Sequence, residues 1–482
     1  MKAAGLIVIA ALAGCSVGPD YTAPATSFLP FHNLAAVVAR KTPVPAPALD
    51  RWWTGFNDPL LVGVVQRTLD QNLDLAASLA RVRQARAVAA SAGAQLLPTV
   101  DLDASATFEH QSLESPFGAL GRTFPGYHRD QREYTVGPAA SWEIDLFGGL
   151  RRTAAAAREE AQAAEASQAG TRITVAADAA DAYLQIRGYQ ARLAVAQQQI
   201  DTDAHLLTLV QARHQAGQAD GREIAQAEAL LRQARASVPP LRIRLEAQLN
   251  RLDVLMGVQP GTYAQELGRP ADIPAIPAIG RNDQPLDVLR RRPDIIAAER
   301  RLAASNERIG AAISDYYPKI SLSGALGFDS LSINHLLSAK AFQPIGTGAL
   351  SWRLFDFGKV DAEVAQARGA QAEALAQYRQ AALKAAEDVE NALIALSQTE
   401  VHMAELQGEV DSLTRVRSLS QKAYQAGSIT LTDVLDADRQ LLTARDELDA
   451  NRAAAAQAAV GIFRALGGGW DVPGGSFVAD RR

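Results

Sequence analysis

The sequence predicts an α+β fold made of two copies of one unit, each joining an alternating strand hairpin to a very long helix. Three observations predict it: a repeat that halves the chain, four stretches of period-2 alternation, and two 67-residue runs (150–216 and 360–426) that contain no proline. Strands of that kind and helices of that length are seldom found together in a compact domain.

The 482 residues exceed one compact domain, so the chain has several domains or is elongated. Apolar residues make up 48% and aromatics 6%, so alanine carries much of the apolar count, which suits long, closely packed helices. With 48 basic and 53 acidic residues the net charge is −5, and no Lys/Arg stripe is interleaved with aromatics; nucleic acid is not an expected partner.

The first residues read as an export signal. Lys2 is a minimal basic region, and Gly5 to Leu12 is an apolar run too short to span a bilayer. Leu12-Ala13-Gly14-Cys15 resembles a bacterial lipobox, which makes 1–14 a lipoprotein signal peptide and Cys15 the lipidation site. The alternative is an ordinary signal peptide that contains a cysteine. Ser16 follows Cys15, and similarity to bacterial lipoproteins then implies sorting to the outer membrane. Cys15 is the only cysteine, so no internal disulfide can form. Residues 15–59, with Pro43, Pro45 and Pro47, read as an extended strap behind the lipid. No run of about 20 apolar residues follows Cys15, so this chain could cross a membrane only as a closed β-barrel.

The repeat appears when Ser141 to Gly148 is laid on Ser351 to Gly358, a shift of 210 positions. The same shift carries Gln215-Ala216-Gly217 onto Gln425-Ala426-Gly427, Ala234-Arg235 onto Ala444-Arg445, and Gly257 onto Gly467. Upstream, Leu96-Leu97-Pro98 meets Tyr316-Tyr317-Pro318 at a shift of 220, so ten extra residues lie between Pro98 and Trp142. Repeat 1 covers 60–257 and repeat 2 covers 294–467.

Strands are expected at 99–109 and 134–146, and again at 319–329 and 342–354. In the first, Val100, Leu102, Ala104, Ala106 and Phe108 oppose Asp101, Asp103, Ser105, Thr107 and Glu109. Trp142, Ile144 and Leu146 oppose Ser141, Glu143 and Asp145 in the second. One apolar and one polar face over about ten residues is what a barrel strand needs. Trp142 and Trp352 near strand ends suit a membrane-interface belt. Four strands cannot enclose a lumen, so a barrel demands oligomerisation; three chains would give about twelve strands. Four amphipathic strands of a soluble sandwich are the alternative.

The long helices 150–216 and 360–426 are rods of roughly 100 Å at ~1.5 Å per residue. Partner helices are expected at 60–96, 222–256, 294–316 and 431–466, with Pro239-Pro240 interrupting or kinking the second. Residues 258–293, with Pro260, Pro270, Pro274, Pro277 and Pro285, read as a connector, and 468–482 as a tail; strap, connector and tail are expected to meet around the middle of the rod.

In order along the chain, Leu12 to Cys15, Pro19-Asp20-Tyr21, Trp52-Trp53 and Phe56 to Leu60 are followed by Trp142 to Gly148, Arg291 to Ile295 and Trp352 to Gly358. Tyr424 to Gly427, Asp433 to Ala437 and Ala465 to Trp470 close the set. Together these resemble the TolC/OprM-type outer-membrane factor family, in its lipoprotein, NodT-like branch, from about residue 15 to 470. The resemblance implies a trimer in which a long-helix periplasmic α-barrel is continued by a transmembrane β-barrel of four strands per protomer. It implies a periplasmic adaptor and an inner-membrane pump of RND type as partners, outer-membrane lipid around the barrel, and no cofactor beyond the lipid on Cys15. The function implied is the passive exit duct of a tripartite efflux system for small molecules such as drugs, not an enzyme. Type I protein secretion and a periplasmic coiled-coil scaffold are the alternatives; a scaffold explains the helices but not the strands.

The turns at Gly217 and Gly427 join each long helix to its partner, and there the resemblance places a periplasmic gate. Tyr424, Asp433 and Asp436 match its gating tyrosine and two acidic rings, with Asp433 and Asp436 one helical turn apart. Rings of carboxylates would attract cations and repel anions. The bland reading of these two is solvated acids favoured by the helix dipole. Glu223 matches the acid that holds the tyrosine, so a Tyr424–Glu223 hydrogen bond is expected. Where some relatives carry a latch arginine, this chain has Ile429; one contact is missing or Arg222 replaces it. Arg290-Arg291-Arg292 is expected to cap or pair structurally rather than bind a ligand. The seven histidines have no metal spacing, and no nucleophile elbow or Walker loop occurs; Gly346-Thr347-Gly348 sits in an expected strand with no helix behind it.

Overall fold

The structure is a computed structural model that describes residues 16–25, 29–38, 40, 44–280 and 290–471. The signal peptide, the lipidation site Cys15, part of the connector (281–289) and the tail beyond 471 lie outside the described residues. The principal elements are α1 (Pro59–Gln71), α2 (Leu73–Ala94), β1 (Thr99–His110), β2 (Asp130–Ile144), α3 (Gly149–Gln215), α4 (Gly221–Leu255), α5 (Pro293–Ser314), β3 (Lys319–Ser330), β4 (Phe342–Ser351), α6 (Lys359–Gln425) and α7 (Leu431–Ala465). Among the described residues no helix is long and apolar enough to cross a membrane. Contacts divide the chain into two units.

The first unit combines Met1–Pro24, Arg83–Ala163 and Glu299–Gln377 and holds the four strands of the described residues. They form one antiparallel sheet in the order β1-β2-β3-β4. The repeat is visible in the register: Thr99 faces Ser141 and Lys319 faces Ser351, the same pair shifted by 220 and 210. Both hairpins close with the same bond, Trp142 Nε1 donating to Leu96 O and Trp352 Nε1 donating to Tyr316 O, each at 3.0 Å. β1 and β4 are exposed along their whole length, whereas β2 and β3 are partly covered. β2 ends at Ile144 and not at 146, because the Asp145 carboxylate turns to accept the Leu150 and Arg151 amides that open α3. β4 stops at Ser351 and not at 354; Asp356 then accepts the Gly358 and Val360 amides ahead of α6. The strap threads this unit: Arg152 bonds Asp20 and Glu307, each at 2.9 Å, and the Asn306 amide donates to Pro19 O.

The second unit combines Ala25–Val82, Ala164–Ala298 and Tyr378–Arg482. Its main core gathers Trp52, Trp53, Phe56, Leu61, Val64, Val65, Tyr183, Leu184, Leu252 and Phe463. Trp52 stacks on Phe463 with ring centroids 5.3 Å apart. Strap, connector and tail meet here: Ala278 N donates to Val44 O, and Gly469 N donates to Leu49 O. Arg292 donates to Ala465 O at the last residue of α7 and to Asp388 and Asp294, a structural tie among helices.

One expectation is corrected and another narrowed. The helix expected at 60–96 is two helices broken at Asn72, whose backbone is extended. Asn72 Oδ1 accepts the Leu75 amide and starts α2, while its side-chain amide donates to Leu255 O. Pro239-Pro240 does not interrupt α4, which runs unbroken from Gly221 to Leu255. Proline removes the donors that Arg235 O and Ala236 O would otherwise receive. Arg235 and Ala236 are both exposed, so water can satisfy those carbonyls.

Candidate functional site

The long helices α3 and α6 both end in the same glycine turn. Gly217 has φ 70° and Gly427 has φ 74°, a left-handed conformation that costs glycine no Cβ clash. Gln218 N donates to Arg213 O, and Ser428 N to Ala423 O, closing the two turns identically one repeat apart. Each partner helix is then capped. Asp220 accepts the Glu223 amide at 3.0 Å, and Thr430 and Asp433 form a capping box.

Beneath these turns lies an apolar cluster from all four helices: Leu206 and Val210 of α3, Ala227 of α4, Tyr424 of α6, and Leu431 and Val434 of α7. Tyr424 is only 3% exposed, and its hydroxyl donates to Glu223 Oε2 at 2.9 Å. The expected bond is therefore present. Burial raises the Tyr424 pKa and the Glu223 charge raises it further, so the phenol keeps its proton.

Sequence reasoning missed the third member. The Arg213 guanidinium lies 4.4 Å from the Tyr424 ring centroid, and its Nη1 donates to Tyr424 O at 3.2 Å. The positive charge that Ile429 does not supply thus comes from the last turn of α3. Ile429 packs against the apolar cluster, and Arg222 faces Asp220 at 3.8 Å. Only the helix-end position of Arg213, favoured by the dipole, was a signal in the sequence.

The two expected ring acids differ in their local ties. The Asp433 carboxylate accepts the Thr430 amide and hydroxyl, which hold its pKa below the usual carboxylate range. Asp436 accepts from Arg439 at 3.0 Å. Both are exposed. Two residues further into α7, Asp438 is buried and bound by Arg417 of α6 at 2.7 Å. Asp203 of α3 is 1% exposed and accepts from Gln199 at 2.7 Å; its Oδ2 accepts nothing among the described residues. Burial first, then the Asp438 charge, push the Asp203 pKa up to about 6. Trp142 lies within β2 and Trp352 just past β4, both exposed. Among the described residues no group of three His, Cys, Asp or Glu could hold a metal.

A repeated hairpin-and-long-helix chain with this tip matches one family model, the outer membrane efflux protein, over residues 64–258 and 285–468. The chain belongs to that family. It is 34% identical over 427 residues to the pyoverdine export outer membrane protein OpmQ of Pseudomonas aeruginosa, covering 88% of each chain. To nodulation protein T of Rhizobium leguminosarum bv. trifolii it is 30% identical over 434 residues, 89% of each. Among solved structures, the outer-membrane channel OprN superposes with a TM-score of 0.86 at 32% identity, over 95% of this chain and 100% of that one. The chain is an outer-membrane efflux component, and OprN, which it resembles in structure, is an outer-membrane channel.

Proposed function

We propose that three copies of this chain form a passive exit duct for small molecules. Twelve strands close a barrel in the outer membrane, with Trp142 and Trp352 at its interface, and the long helices continue it as a periplasmic tunnel. Lipid on Cys15 anchors the strap. A periplasmic adaptor engages the tunnel, and an RND-type inner-membrane pump selects the cargo. The bond from Tyr424 to Glu223, under the Arg213 guanidinium, carries this reading. It fastens α6 to α4 beside the turns and so acts as a latch between the two copies at the tip. Asp433 and Asp436, each present three times around the axis, bias the entrance towards cations. The similarity to a protein named for pyoverdine export supports a small-molecule cargo over a secreted protein.

Single-channel conductance of the purified lipoprotein in a planar bilayer tests this. Wild type should show small, cation-preferring currents, and Tyr424→Phe/Glu223→Ala should conduct several-fold more. Equal currents would remove the latch and leave the duct. Absence of conductance from either would leave the scaffold reading standing.

A further inference from the structure

In the second unit the two copies meet as helix pairs, α3 with α4 and α6 with α7, and polar bonds join the pairs at two heights. At the tip, Glu223 and Arg213 of the first pair hold Tyr424 of the second. Arg192 stands 21 residues before Arg213 on α3, about 32 Å away along the helix. There it grips Asp446 of α7 with two parallel bonds, from Nε at 2.7 Å and from Nη2 at 2.8 Å. Both side chains are half-buried.

The seam between α3 and α7 changes character at this fork. On the core side, Gly188 lies so close to α7 that a Cβ there would come within 2.6 Å of the Ala453 Cβ. Beyond it Tyr183, Leu184 and Ile186 enter the main core with Val460 and Phe463. On the tip side, α3 buries only Ala196 and Gln199 between 193 and 202. Next comes Asp203, buried, with one carboxylate oxygen that accepts nothing among the described residues and with the Asp438 charge opposing its own. Among the described residues no hydrogen bond or ion pair joins α3 to α7 between the fork and the tip. Apolar burial resumes at Leu206 and Val210, in the cluster that Tyr424 completes.

We infer that the Arg192–Asp446 fork stops the parting of the two repeats: when the Tyr424 latch is released, α3 leaves α7 from the tip as far as this fork and no farther. The inference rests on the latch reading above and adds where the opening ends. A seam with little apolar burial and one like-charge contact parts easily. A bidentate guanidinium–carboxylate pair is a strong, directional contact, and the close-packed core behind it gives way to no gradual opening. Arg192 and Asp446 are therefore positioning residues: by fixing the free length of α3 they set how wide the entrance becomes.

Thiol labelling of the full-length lipoprotein, whose one native cysteine is Cys15, locates the end of the parting. Cysteines are placed singly at the buried positions Val210, Ala196 and Ala182, with the latch intact and with Tyr424→Phe/Glu223→Ala. Release of the latch should speed maleimide labelling of Val210→Cys and Ala196→Cys several-fold and leave Ala182→Cys protected. Labelling of Ala182→Cys would carry the parting past the fork, and protection of Ala196→Cys would end it short; either overturns the stop, while Val210→Cys still reports the latch. Protection of all three defeats latch and stop together. Conductance gives an independent measurement in chains without added cysteine. Asp446→Asn should raise the latch-released conductance a further several-fold, and Arg192→Asp/Asp446→Arg should return most of the difference. With the latch intact, Asp446→Asn should add little. No rise, no return, or full opening with the latch intact overturns the stop.

Discussion

A carboxylate buried without a full set of partners loses hydration that nothing replaces. Asp203 is in that position, with one oxygen bound by Gln199 and Asp438 repelling its charge. Its pKa in the folded chain, about 6, lies above the ordinary 3.8, so the folded state holds this proton more tightly than the unfolded state. The resulting contribution to stability is full below about pH 4 and is lost as pH rises to about 6. Asp203→Asn should therefore flatten the melting-temperature profile between pH 4 and 6; an unchanged slope would show that Asp203 is not the group titrating. Arg213→Gln removes a cation–π contact worth about 0.5–2 kcal/mol, and should raise the open fraction of the channel several-fold. Arg222→Gln should leave it unchanged, because Arg222 faces Asp220. Of this tip, Tyr424 and Glu223 were legible in the sequence through their family pattern. Arg213, Asp203 and Asp438 were not, because a charged residue in a polar helix reads as solvated until the packing of four helices is known.

At the level of elements, strands were legible where alternation was strict, and the hairpin pairing adds the register that alternation leaves open. Their ends were misjudged where a side chain turned to another task, as Asp145 does in capping α3. The break at Asn72 went unread because one asparagine in a long periodic run looks tolerable. Its signal was local, a capping residue three places before Leu75. Pro239-Pro240 leaves α4 unbroken, so of the interruption or kink expected there the interruption does not occur. Asn72→Ala removes a cap and leaves Leu255 O without its donor. A loss of about 1.4 kcal/mol there corresponds to roughly tenfold faster amide exchange at Leu75 and Ala76. Exchange at Pro59–Gln71 should change less, since the Asp58 cap that starts α1 remains.

For the whole molecule, the repeat made the architecture readable: shifts of 220 and 210 located both hairpins, and the second of them both long helices and both glycine turns. The number of chains is not in the repeat itself; barrel closure asks for more than one, and the three proposed rest on the family resemblance. Lipid anchors without spanning, so a Cys15→Ser chain with an unaltered fold should lack the acyl mass in mass spectrometry yet still conduct when reconstituted. Loss of conductance would mean that the anchor takes part in assembly.

The join between β2 and β3 also sets an order of events in time. Ile144 meets Ile320 across 176 positions of chain. An unstructured segment of that length closes slowly. Here the segment contains α3, α4 and α5, and the turn at Gly217 reverses the chain within a few residues. Once those helices have formed from local contacts, the two hairpins no longer have to find each other by diffusion through 176 loose residues. The sheet then forms after the helices that carry its two hairpins together.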